Sequence, residues 1–310
     1  MSTALLRRLA PLSLFVVPFL VPVLVSTSNA ATIDKAHHRH HKAAHAAASS
    51  PAKTTAQAKA AAVTSSGVIP AAARNVAFGT SLGGNSSQTV KLFPNARIGR
   101  VFENAPEAAL PSLPSTYQIW LSFNVNPGTV ASGAYNAQFG ALLQAWNKSG
   151  RTVYWDWQHE ADNPADHLNP TQIRAGWAQL LSVEKKYPSP KVKSMSIYEG
   201  YLLSPNQPHG NPANWYVNAD VLGFDCYIPD NVVRAMAYAK SKGKPWAIPE
   251  FGNHGGDASD LAYIQSTIAS WASYPPIGAA WYNNTAGANF SQPLAQIPHT
   301  LAYLKLLAAG

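Results

Sequence analysis

Short runs of β-branched and aromatic residues recur along the chain at 76–79, 97–101, 117–123, 152–157, 192–198, 221–227, 245–248 and 277–282, and each reads as a strand. Between several of them the apolar positions change to helical spacing. After Asn169-Pro170, a capping residue followed by proline at the first helical position, Ile173, Trp177, Leu180 and Leu181 share one face until Lys185-Lys186 and Pro188 end the pattern. Val233, Met236, Ala237 and Lys240 repeat it, with Asp230 or Asn231 as the start and Gly243 as the stop. A third helix is expected from about Ser259, turning Leu261, Ile264, Ile268 and Trp271 inward. Strand and helix alternate, as in a parallel sheet with helical crossovers. Eight such strands predict an α/β fold, a (β/α)8 barrel over residues 74–310. A doubly wound open sheet is the runner-up, and the chain shows no glycine-rich nucleotide loop to support it.

The first 73 residues break this pattern. Arg7-Arg8 precede an apolar run from Leu9 to Val25 that Pro11, Pro18 and Pro22 interrupt, and Ser28-Asn29-Ala30 offers the small residues of a cleavage site. Residues 1–30 are therefore expected to be a signal peptide, with a retained membrane anchor as the rival reading. Residues 31–73 are rich in Ala, Lys, Ser and Thr and lack aromatics, so they cannot bury enough apolar surface to offset ordering entropy and read as a linker. Charge follows the same division: the first 73 residues carry seven of the 23 basic and one of the 15 acidic side chains. The remainder is nearly neutral, which leaves no basic face for nucleic acid. The basic, histidine-rich linker (His37, His38, His40, His41, His45) suits electrostatic association with an anionic cell wall, metal binding, or a solvated spacer. Cys226 is the only cysteine, so no intrachain disulfide is available, and export without disulfides suits a bacterial source.

Two glutamates end strand-like runs: Glu160 follows 152–157 and Glu250 follows 245–248. Cleaving the acetal between two sugars needs one carboxylic acid to protonate the leaving oxygen and a second carboxylate across the ring. In a (β/α)8 barrel, residues just past the C-terminal ends of strands meet in one cleft, so strands four and seven can bring these two together. Trp155, Trp157 and His159 surround Glu160 in sequence and would desolvate it, raising its pKa as an acid requires. Arg100 or the Tyr227 hydroxyl would hold Glu250 as an anion, although Arg100 is equally placed to pair with Asp156. His159, Trp157, Trp281, Asn253 and His254 are expected as substrate contacts, Glu199 is the rival carboxylate, and Asp225 reads as buried structure.

These residues resemble clan A of the glycoside hydrolases. His159-Glu160 is similar to the acid/base motif of family 26, the β-mannanase family; residues 221–227 resemble a sixth-strand motif whose tyrosine bonds the nucleophile; and residues 244–252 resemble the nucleophile motif. Trp281 stands where an eighth-strand tryptophan supports the sugar. The resemblance implies a retaining mechanism with Glu160 as acid/base and Glu250 as nucleophile, acting on β-mannan, with other β-linked glucans or xylans as alternatives. It departs at Ala161-Asp162-Asn163-Pro164, where family 26 enzymes usually carry Asn-Gly and a tryptophan pair. A monomer is expected, secreted or wall-associated, with a polysaccharide as its partner and a chemistry that needs no metal or organic cofactor. A barrel that binds sugar without turnover, or serves as a wall scaffold, remains the reading from a different class.

Overall fold

In the computed structural model the apolar runs form eight strands: β1 (Ala77–Ser81), β2 (Ile98–Glu103), β3 (Gln118–Phe123), β4 (Val153–Trp157), β5 (Val192–Glu199), β6 (Val221–Asp225), β7 (Trp246–Phe251) and β8 (Gly278–Trp281). They pair in parallel in chain order, and β8 pairs back to β1, which closes the barrel. The structure describes residues 69–82, 86–206, 209–252, 255–283 and 293–310. The leader, the linker up to residue 68, Asn253 and His254 lie outside the described residues. Packing begins ahead of Arg74: Ala73 is fully buried, and the Trp271 indole donates to the Ala72 carbonyl at 3.2 Å. Among the described residues no helix is long and apolar enough to cross a membrane.

Among the described residues eight α-helices accompany the strands: α1 (Ser86–Leu92), α2 (Pro127–Ala131), α3 (Asn136–Lys148), α4 (Pro170–Glu184), α5 (Pro212–Trp215), α6 (Pro229–Ser241), α7 (Asp257–Ser270) and α8 (Pro298–Ala309). The Asn169 side chain caps α4 by accepting from the Thr171 and Gln172 amides at 2.9 and 3.3 Å, and Pro170 needs no partner there. Helix α6 departs from expectation. Its buried face is Val232, Ala235 and Ala239, while Val233 is 46% exposed. Large apolar residues suggested the wrong stripe because small alanines let this helix lie close to the barrel.

Two apolar layers hold the fold. Inside the barrel sit Ala77, Ile98, Trp120, Met195, Ile197, Val221, Ala247 and Ala280. The larger layer lies between strands and helices and takes Val153, Trp155 and Trp157 from β4, so alternation turns Asp156 inward. Trp155 stacks on Trp177 of α4 at 5.1 Å between ring centroids. Trp157 is likewise buried: its indole donates to the Val125 carbonyl at 3.0 Å and its ring fills the space over Gly176, where even a Cβ would come within 2.3 Å. Trp157 is therefore not a rim contact for sugar. Trp281 is also corrected. Ala280 is the β8 residue that faces the barrel interior, and Trp281 packs on the helix side, edge-on to Phe251 at 5.4 Å.

Strand β7 contains an irregularity that the site needs. Trp246 and Ile248 lie in the outer layer and Ala247 in the inner one, so plain alternation would send residue 250 outward. A register shift between Ile248 and Phe251 inserts an extra residue. Phe251 then takes the outer position opposite Trp281, and Glu250 turns into the barrel mouth. Trp157→Ala should cost about 3–5 kcal/mol of stability by loss of a buried indole, read by urea denaturation. Sugar binding by the folded fraction should be unchanged, whereas a rim contact would lose affinity without loss of stability.

Candidate active site

Side chains from β2, β4, β6 and β7 converge at the C-terminal mouth of the barrel. After Trp157 the chain leaves β4 through Gln158 and Glu160, both in the left-handed region at φ 59° and 51°. The Gln158 amide donates to the Phe123 carbonyl at 3.0 Å and the Glu160 amide to the Ile197 carbonyl at 3.2 Å, so the turn is bonded to both neighbouring strands. This contortion aims His159 at the barrel axis. Its Nε2 lies 3.1 Å from Asp225 Oδ2, 3.2 Å from Glu250 Oε1 and 3.9 Å from Glu160 Oε2.

Those distances measure the carboxylate pair. Glu160 and Glu250, 90 positions apart in sequence, each reach the same nitrogen. The gap between the two reaching oxygens is thereby capped at roughly 7 Å, close enough for both side chains to face one sugar ring. All of Glu160, Asp225 and Glu250 are buried. The Tyr227 hydroxyl donates to Glu250 Oε2 at 2.5 Å, and Tyr227 packs edge-on to Tyr282, at 6.3 Å between centroids. Tyr282, one position after Trp281, is thus the β8-end aromatic beside the carboxylates.

Arg100 does not serve as expected. Its guanidinium lies over the Phe102 ring at 4.2 Å and gives Nη1 to the Val101 and Trp120 carbonyls. Nη2 is 2.9 Å from His159 Nδ1. Among the described residues it forms no ion pair with Glu250 or Asp156; Asp156 instead accepts from the Ser122 hydroxyl at 2.6 Å and the Ile197 amide at 3.2 Å. A guanidinium has only N–H donors, so Nδ1 must accept and the proton sits on Nε2, facing the carboxylates.

Two influences compete at this ring. Burial works against charge on His159, while the Asp225 and Glu250 carboxylates pull its pKa upward. Charging the ring would set two N–H groups against each other at Nδ1, so the neutral form protonated on Nε2 is the one this geometry holds. His159, Glu160 and Asp225 are close enough together to suggest a metal site. A protonated Nε2 has no lone pair for one.

Burial, reinforced by the charges of Glu199, Asp225 and Glu250, raises the Glu160 pKa well above the ordinary carboxyl value. Asp225 is raised to about 6, by burial first and then by Glu250, against the pull of His159 and Arg100. Asp225 therefore belongs to the centre of the site, where the sequence suggested only buried structure. Its signal was present: it shares strand parity with Tyr227. Glu199 lies to one side, where its Oε1 accepts from the Asn163 side chain at 2.7 Å and its Oε2 lies 3.1 Å from His209 Nδ1. Neither Asn163 nor His209 was singled out in the sequence, although Asn163 lies in the stretch that departs from the family pattern.

No family model matches the chain. In sequence it is 27% identical over 180 residues to a β-1,3-xylanase of Alcaligenes sp, and 26% identical over 208 residues to β-1,3-xylanase TXYA of Vibrio sp. These alignments take in 56% and 64% of the chain, but 38% and 43% of the relatives. The resemblance is to clan A glycoside hydrolases. The chain spans about two fifths of the length of these curated relatives. A GH26 β-mannanase from Bacteroides ovatus superposes with a TM-score of 0.50 over 75% of this chain and 88% of that one, at 14% identity, and shares the fold.

The raised carboxyls set the pH dependence of stability. Glu103 and Glu184 are lifted to about 7, chiefly by burial, and Glu160 is lifted in the same direction. An unfolded carboxyl loses its proton near pH 4.3 while the folded one keeps it, so stability is fullest below that pH and is lost as pH rises through about 7. Melting temperature should fall between pH 5 and pH 8. Glu160→Gln should raise it at pH 8 and flatten part of the slope, as calorimetry at the two pH values will show.

Proposed function

We propose that the barrel hydrolyses a β-linked polysaccharide by double displacement. The observation that carries this reading is the approach of Glu160 and Glu250 to a single imidazole nitrogen at the barrel mouth. Glu160, protonated, gives its proton to the glycosidic oxygen as the Glu250 carboxylate attacks the anomeric carbon and the carbon–oxygen bond to the leaving sugar breaks. A glycosyl ester on Glu250 results. Water, deprotonated by Glu160, then attacks that carbon and releases the Glu250 carboxylate. Tyr227 and His159 orient Glu250 through its two oxygens, and the Tyr227 hydroxyl steadies the carboxylate when it departs.

Sequence similarity to β-1,3-xylanases favours β-1,3-xylan as the substrate. β-Mannan, toward which His159-Glu160 points, is the second candidate. The leader and the basic linker support export and retention at a cell wall as part of the same reading, and deleting residues 31–73 should release the protein from wall preparations. Purified protein incubated with β-1,3-xylan, mannan and β-glucans should release oligosaccharides from one of them, with the β-anomer formed first by NMR. Glu160→Gln should lower turnover by about 10²–10⁴-fold, and Glu250→Ala should abolish it. Binding of oligosaccharide with no cleavage, or activity that survives both substitutions, would overturn the assignment.

A further inference from the structure

Beside the reacting carboxylates lies a second buried polar cluster that the mechanism does not use. It joins Asp162 and Asn163, from the turn that carries Glu160, to Glu199 at the end of β5 and His209 in the segment that follows. All four are buried. Asp162 Oδ1 accepts from the Glu199 amide at 3.1 Å, and the Asn163 side chain donates to Glu199 Oε1 at 2.7 Å. The other oxygens of Asp162 and Glu199 lie 3.3 and 3.1 Å from the same atom, His209 Nδ1. The Trp215 indole, donating to the His209 carbonyl at 3.1 Å, holds that segment in turn. The Asn163 amide donates to the Glu160 carbonyl at 2.8 Å, so the cluster is tied directly to the acid.

We propose that Asn163, Asp162, Glu199 and His209 are positioning residues that fasten the Glu160 turn to β5 and so aim the acid/base at the leaving oxygen. This inference rests on the double-displacement reading and extends it. A glutamate with φ at 51° sits in a sparsely populated conformation that persists only when its surroundings enforce it. Here they do so through two side chains within three residues of Glu160. The His209 ring lies between the two buried carboxylates, hydrogen-bonded through Nδ1 to Asp162 Oδ2 at 3.3 Å and 3.1 Å from Glu199 Oε2. The groups that act electrostatically on Glu160 are Glu199, Asp225, Glu250, His159 and Tyr227; those that act on Glu199 are Asp162, Asp225, Asp166, His159 and His209. Burial and the neighbouring Asp162 and Asp225 carboxylates raise the Glu199 pKa well above the ordinary carboxyl value too.

The experiment uses a leaving group that needs no acid. Kcat/KM is measured for wild type, Asn163→Ala and Glu199→Gln on β-1,3-xylan, or on the polymer the substrate panel selects, and on the dinitrophenyl β-glycoside of its disaccharide. Both variants should lose about 10²-fold on the polymer, the lower end of what general acid catalysis supplies, and less than about threefold on the dinitrophenyl glycoside. Equal losses on both substrates, or none on either, would overturn the inference while leaving the proposed function standing. A wild-type protein that cleaves neither substrate overturns both. Glu199→Gln keeps the shape of the side chain, so if Asn163→Ala does not fold, the contrast between the two substrates for Glu199→Gln alone decides.

Discussion

Three carboxylates, those of Glu160, Asp225 and Glu250, crowd the edge of one imidazole at the mouth of the barrel, and much of the surrounding structure keeps them there against their mutual repulsion. Buried charge is so costly that a group without compensation takes up a proton instead. The site meets this cost in two ways. Arg100 supplies one fixed positive charge and fixes the His159 tautomer, so that an N–H faces the carboxylates. Glu160, with Glu199 and Asp225 adding to the cost of ionising it, holds its proton. The protonated acid that glycosidic cleavage requires is thus a consequence of crowding, with no separate device needed to make it.

Two backbone irregularities bring the crowd together. Regular β4 would continue its alternation past Trp157, and regular β7 would point Glu250 at the helices. The left-handed residues Gln158 and Glu160 redirect the first, and the extra residue between Ile248 and Phe251 redirects the second. Both are bonded into place. The turn after β4 donates to carbonyls of β3 and β5, and the Cys226 amide donates to the Glu250 carbonyl at 2.8 Å. Strain at these points is affordable because the rest of the barrel is regular and its outer layer is dense with tryptophan, including Trp146, Trp155, Trp157, Trp177, Trp246, Trp271 and Trp281.

The stretch that departs from the family 26 pattern, Ala161 to Pro164, has a structural use in this chain. Where the family usually places Asn-Gly and a tryptophan pair, this chain turns Asp162 and Asn163 toward Glu199 and His209. The polar cluster lies beside Glu160, and Tyr282 packs against Tyr227, whose hydroxyl donates to Glu250.

By itself the sequence determined the eight strands to within a few residues, their order and the parallel closure. Each of these depends on local pattern or on chain order. It did not determine which tryptophans face the sugar, because parallel strands in a barrel are buried on both faces and burial alone cannot choose between the two parities. Trp157 and Trp281 therefore read as site residues and packed as core. Nor did it show that Glu250 would turn inward, which hangs on one inserted residue, or that Arg100 would select His159 over either acid. Such pairings join residues remote in sequence, and only the closed barrel sets the distances between them.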